Sequence, residues 1–169
     1  TLMMISLPSG PALSYTLLLP RFLSLAIWSL ALTVLRGAVQ DFRFRSVQGM
    51  ARRYPIVGAG ILFAHFSLAG FPLLAGFPVY LTLWDQLAVD ESFLAFWAVL
   101  GSVGLMVGGL RSLAVLVMGP EDLPPLEQEE NHLFAQVLVL LGVGMLFVLG
   151  LFPQWFFPLL RSLAFDPMI

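Results

Sequence analysis

Four residues of this chain carry charge or protons inside sequence too apolar to solvate them: Arg21 in LLLPRFLSL, His65 in LFAHFSLAG, Tyr80 in FPVYLTLW and Arg111 in VGGLRSLAV. Imidazole is the side chain that ordinarily changes charge between about pH 5 and pH 8, so His65 is the group able to exchange a proton near neutrality. A phenol both donates and accepts, and can hand a hydrogen bond along a chain of waters. A cation at membrane depth costs at least about 2.5 kcal/mol on insertion scales, so Arg21 has to face protein or water. The chemistry these types suit is passage of protons through a membrane. His65, Tyr80 and Arg111 are expected to converge on one hydrated pocket, with Arg21 a further candidate. Plainer readings stand beside these. His65 could be a neutral ring bonded to a neighbouring carbonyl. Arg21 could belong to a helix that starts late, near Pro20, and reach the interface from there. Arg111 could reach the interface or pair with an acid on a neighbouring helix. Bond-making chemistry has no support, because no carboxylate pair in a soluble cleft, nucleophile triad, phosphate loop or metal cluster is visible. No catalytic, cofactor-binding or metal-binding residue is therefore assigned.

The element that must position these groups is a break. Gly70, Pro72, Gly76 and Pro78 fall between His65 and Tyr80, in the stretch SLAGFPLLAGFPVYLTLW at 67 to 84. Proline lacks a backbone donor and disfavours helix at the residue before it, while glycine allows conformations other residues resist. Broken helices at membrane depth persist only where they are buried in protein or line a wet cavity, and there transporters place ion and substrate sites. The interruption is expected near 70–74, within 69 to 75 at its widest.

Composition sets the class. Hydrophobic residues make up 59% and charged residues 11% of 169 residues, where a soluble domain carries about 25% charged residues. With a mean hydropathy of +0.94, the chain reads as an integral membrane protein in contact with the lipid bilayer. The net charge of -2 argues against a nucleic-acid partner, and the absence of Cys excludes thiolate metal sites, iron-sulfur ligation and disulfides. The two histidines, His65 and His132, are far apart in sequence, which argues against a haem held by both. The chain starts at Thr1 with no signal-peptide pattern, and is expected to be a piece of a longer protein.

In chain order, residues 1 to 10 look like the tail of a preceding helix, ended by Pro8, Ser9 and Gly10. A first span is expected over 11–35, interrupted by Pro20 and Arg21, of the length a hydrocarbon core of about 30 Å demands. Residues 36–53 form a basic loop, with Arg36, Arg43, Arg45, Arg52 and Arg53 against Asp41. Short Arg-rich loops stay on the cytoplasmic side. The apolar run 54–89 would reach about 54 Å as one straight helix, too long for one core and short for two plus a turn. A single broken span and a tight helical hairpin both fit it. Further spans are expected over 92–118, where Gly104 and Gly108 form a GxxxG, and over 132–157, closed by the interfacial aromatics Trp155, Phe156 and Phe157. Between them 119–131 is an acidic loop, and 158–169 an interfacial or frayed tail. The fold expected is an all-α polytopic transmembrane bundle of about four spans, one of them discontinuous.

The order of GMARRYP, SLAGFPLLAGF, LRSLAVLVMGPEDLPP and LGLFPQW resembles the C-terminal part of the antiporter-like proton channel subunits of respiratory complex I. It is most similar to the subunit N family of bacterial NADH:quinone oxidoreductases, with relatives in Mrp antiporters and membrane-bound hydrogenases. The resemblance covers nearly the whole chain. It implies a subunit of 14 helices built from two inverted repeats, of which this chain would match the last four. It also resolves 54–89 as one interrupted span, with the loop at 36–53 and the acidic loop on the cytoplasmic side of a bacterial inner membrane. Partners would be other membrane-arm subunits. Quinone and NADH would be used by the parent complex, with no cofactor bound by this chain. One departure matters. Aligning AGF at 75–77 puts Tyr80 where the family carries a mid-membrane lysine, and Pro78 where an apolar residue is usual, whereas Arg111 matches the family's LR segment. A phenol does not cycle as a buried ammonium can, which casts doubt on a lysine relay here.

Three readings follow: a proton-pathway segment of an NADH:quinone oxidoreductase, a non-conducting structural subunit, and an Mrp-type cation/proton antiporter subunit.

Overall fold

The computed structural model describes residues 10–38, 47–119, 133–155 and 158. The N-terminal segment, most of the basic loop, the acidic loop, Phe156, Phe157 and most of the C-terminal tail lie outside the described residues. Among the described residues every regular element is a helix: α1 Gly10–Ala38, α2 Met50–Arg53, α3 Pro55–Ala69, α4 Phe77–Asp90, α5 Ser92–Val117 and α6 Leu133–Leu151. Three contain stretches long and apolar enough to cross a membrane, Tyr15–Gly37, Ser92–Val117 and Leu133–Leu151. The protein is an all-α integral membrane bundle.

Helix α1 does not stop at Pro20. It begins ten residues earlier and runs through the proline, so a late start near Pro20 is not what the chain adopts, and the expected interruption is absent. Proline removes one helical hydrogen bond, and in a membrane bundle neighbouring helices and Ser or Thr side chains make up the loss. The carbonyl that loses its helical donor is that of Thr16, four residues before the proline; the Ser24 hydroxyl makes a separate bond one turn on, donating to the Pro20 carbonyl at 2.7 Å.

The apolar run after the basic loop divides as its glycines and prolines require. Pro55 opens α3 at a position where its missing N–H costs nothing. Helix α3 ends at Ala69, and α4 begins at Phe77 with Pro78 in its first turn. The connection 70–76 lies where the break is expected.

Two apolar clusters hold the bundle. The larger joins Ile27, Ala31, Val34 and Leu35 of α1 to Val57, Ile61 and Ala64 of α3 and to Val139, Val143, Leu146 and Leu149 of α6, with Leu74 and Ala75 of the connection inside it. The smaller joins Leu17 of α1 to Val79, Leu83 and Leu87 of α4, against which Leu94, Ala95 and Ala98 of α5 pack. Helix α5 lies alongside the whole broken run, antiparallel to it. Its first turns meet α4, its middle meets His65 and Phe66 of α3 at Gly109, and the Val115 carbonyl accepts the Gly49 amide at 3.3 Å. Its 26 residues measure about 39 Å at about 1.5 Å per residue. Helices α3 and α4 thus follow one another along a single continuous neighbour.

Candidate functional site at the helix break

Helix α3 ends in a Schellman motif. Gly70 takes the left-handed conformation at φ 78°, the Phe71 amide donates to the Phe66 carbonyl at 2.9 Å and the Gly70 amide to the Ser67 carbonyl at 3.2 Å. The Leu68 carbonyl would ordinarily accept from the amide four residues on, but that residue is Pro72, which has none. The Tyr80 hydroxyl fills the gap, donating to the Leu68 oxygen at 3.0 Å. Its ring lies on Gly70, where a Cβ would stand 2.9 Å from Tyr80 Cδ2. Glycine at 76 is equally constrained, since a Cβ there would run into the Ser67 carbonyl oxygen.

Arg21 arrives from α1. Its Nη2 donates to the Tyr80 hydroxyl oxygen at 3.3 Å, in a half-buried contact. One turn further along α1, Ser24 and Ser67 are both buried and their hydroxyl oxygens lie 2.9 Å apart. A hydroxyl has one hydrogen, and Ser24 directs its own at the Pro20 carbonyl. Ser67 is therefore the donor to Ser24. The break is a seam of polar groups from three helices, Arg21 and Ser24 on α1, Ser67 and the Leu68 carbonyl on α3, and Tyr80 on α4. Sequence reasoning missed the serine pair, whose one signal is that Ser24 shares the face of Arg21 at i+3 and Ser67 stands three residues before Gly70.

His65 points across to α5. Its Nε2 lies 2.8 Å from the Leu105 carbonyl, and since a carbonyl only accepts, that nitrogen carries hydrogen. Two glycines of α5 make the approach possible: the ring packs beside Gly108, and a Cβ at Gly109 would come within 2.8 Å of His65 Cδ2. Gly104, the other half of the GxxxG, meets nothing within 4 Å. His65 also lines a cavity of about 340 Å³ between α1, α3 and α5, with Trp28, Leu32, Ile61, Ser112 and Leu116. Arg111 is exposed on α5 beside Ser112. The structure thus joins Tyr80 and Arg21 at the break and directs His65 toward the α5 backbone. Among the described residues no group of three His, Asp or Glu is placed to hold a metal ion.

No family model matches the chain. Curated relatives do. NADH-quinone oxidoreductase subunit N of Deinococcus radiodurans is 30% identical over 151 residues, 87% of this chain and 30% of the relative. Subunit N of Coxiella burnetii is 30% identical over 146 residues, 85% of this chain and 30% of the relative. Subunit N of Moorella thermoacetica is 36% identical over 110 residues, 62% of this chain and 22% of the relative. The chain is similar to subunit N. It spans less than a third of the length of these relatives. A match over 87% of the chain necessarily includes its middle, so His65, the whole of the break, Tyr80 and Arg111 fall within the stretch similar to subunit N.

Proposed function

We propose that this chain is a membrane-arm segment of a subunit N in a proton-translocating NADH:quinone oxidoreductase, contributing part of a transmembrane proton pathway. NADH and quinone are used in other subunits and no cofactor is bound here. In this reading α3 and α4 are the two halves of one discontinuous span, the loop 36–53 lies in the cytoplasm, the membrane is a bacterial inner membrane, and the partners are other membrane-arm subunits. The observation that carries the reading is the break itself. It falls inside the stretch similar to subunit N and gathers Arg21, Tyr80 and two buried serines at a point where backbone carbonyls lose their helical partners. His65 and Arg111 are the remaining pathway candidates, one at the α3–α5 contact and the other on α5.

A second reading has its own support. Tyr80 stands where a titrating lysine would be expected, and its hydroxyl is bonded on both sides. A non-conducting structural subunit fits that arrangement, and an Mrp-type antiporter subunit shares the same general plan.

The test is a substitution that separates proton handling from assembly. Glutamine at position 65 carries an amide that can still donate to the Leu105 carbonyl but cannot take up a proton near neutrality. In membranes containing the whole complex, His65→Gln is expected to lower the protons moved per electron while quinone reductase activity stays within about twofold. An unchanged ratio removes His65 from the pathway. Equal loss of both activities assigns it to assembly.

A further inference from the structure

We propose that Arg21 orients Tyr80, so that the break is closed by a hydrogen bond donated from a permanently charged group on α1. This concerns how the break is closed, and it holds whether or not the chain conducts protons.

The Tyr80 hydroxyl has one hydrogen and two lone pairs. With the guanidinium of Arg21 donating to its oxygen at 3.3 Å, the hydrogen is directed away from the cation, and the acceptor it meets is the Leu68 carbonyl at 3.0 Å. The arrangement is directional, running from the α1 cation through the α4 phenol to the α3 backbone. Each link answers a need created by another part of the sequence. Arg21 must leave hydrocarbon, Pro72 leaves Leu68 without an amide, and Gly70 gives the Tyr80 ring a flat backbone on which to lie.

A guanidinium stays charged in proteins, whereas an ammonium gives up its proton when desolvated. With Arg21 in place, a second cation at position 80 would lie against the first in a medium of low dielectric. A lysine at position 80 would therefore either lie as a cation against Arg21 or give up its proton, each at a cost, whereas Tyr80 is neutral already and accepts from the guanidinium. Arg21 acts through Tyr80 and is a positioning residue.

The experiment is a mutant cycle on the full chain in detergent or nanodiscs, read as the midpoint of thermal unfolding. Arg21→Gln is expected to lower the midpoint by about 2–4 °C, and Tyr80→Phe by a similar amount. The double variant R21Q/Y80F should fall no further than the worse single, because both changes remove the same chain of hydrogen bonds. Tyr80→Lys should fall further than Tyr80→Phe, and adding Arg21→Gln to it should raise the midpoint. That reversal of sign is the decisive outcome, since a role for Arg21 unrelated to Tyr80 would make Arg21→Gln equally harmful in both backgrounds. An equal loss in both backgrounds overturns the proposal. If Tyr80→Lys fails to accumulate, the phenylalanine cycle decides, and additive losses there overturn it.

Discussion

Two residues of the connection between α3 and α4 adopt the left-handed backbone region, and they do so on different terms. Gly70, at φ 78°, has no Cβ to strain. Leu73, at φ 73°, is the one non-glycine residue with positive φ among the described residues. For a residue with a Cβ this conformation costs roughly 1–2 kcal/mol, and it persists only where the surroundings over-determine it. At Leu73 they do. Its neighbours Leu74 and Ala75 are fully buried, and its carbonyl lies against Gly150 of α6, where no side chain would fit. The side chain itself contributes little packing, being 55% exposed. Leu73→Gly is therefore expected to stabilise the chain, raising the thermal midpoint by about 2–4 °C for each kcal/mol of strain released, reduced by glycine's larger unfolded-state entropy. Calorimetry or circular dichroism of the purified chain measures it. A lowered midpoint would mean that glycine's unfolded-state entropy and the lost side-chain contacts outweigh the strain released. Asparagine tolerates the same φ but would present an amide to hydrocarbon, which makes glycine the cleaner probe.

For the elements, the break shows what was readable in the sequence and what was not. Gly70, Pro72, Gly76 and Pro78 announce that no helix can continue, because the absence of an amide or of a Cβ is a local property, and α3 does end at Ala69. The partners that close the break are not local. Tyr80 and Arg21 are 59 residues apart and Ser24 and Ser67 are 43 apart. Which of them meet depends on how α1 is rotated against α3, and α3 carries apolar residues all round with only His65 and Ser67 among them, so its sequence favours no face. His65 bonds to a backbone carbonyl, a group with no sequence signature. The GxxxG of α5 marked a thin face, yet the tight contact forms at Gly109 and not at Gly104. Proline misleads in the opposite direction at position 20, where packing by neighbouring helices carries α1 through. The helix stop at Gly70 should be sensitive accordingly. Gly70→Ala adds a left-handed penalty of roughly 1–2 kcal/mol, and places a methyl group against the Tyr80 ring. The expected result is a lowered thermal midpoint together with faster amide exchange at the end of α3 and the start of α4. Unchanged exchange there would show that the glycine is not what shapes the stop.

The whole molecule exposes apolar surface on a scale that implies company. Phe22 of α1 is 76% exposed, Phe93 of α5 71% and Phe134 of α6 77%, and no aqueous protein keeps contiguous faces of this kind uncovered. Lipid satisfies them as well as protein does, so exposure alone does not place a neighbour. Polar groups are more informative. At the break the hydroxyls of Tyr80, Ser24 and Ser67 and the Leu68 carbonyl all have protein partners, which leaves none of them in need of water. A proton pathway needs, beyond such a seam, a line of groups whose partners exchange, reaching one face of the membrane and then the other. In transporters built from inverted repeats such a line runs between the two repeats, each closing the other's open side. On the reading proposed above, the described helices supply one side of such a line, in a stretch similar to less than a third of the length of subunit N. The full chain reconstituted alone into vesicles should therefore show no proton flux above protein-free vesicles when a potassium diffusion potential is imposed, read with a pH dye trapped inside. Flux above that background, abolished by Tyr80→Phe or Arg21→Gln, would mean that the seam across α1, α3 and α4 conducts without a partner.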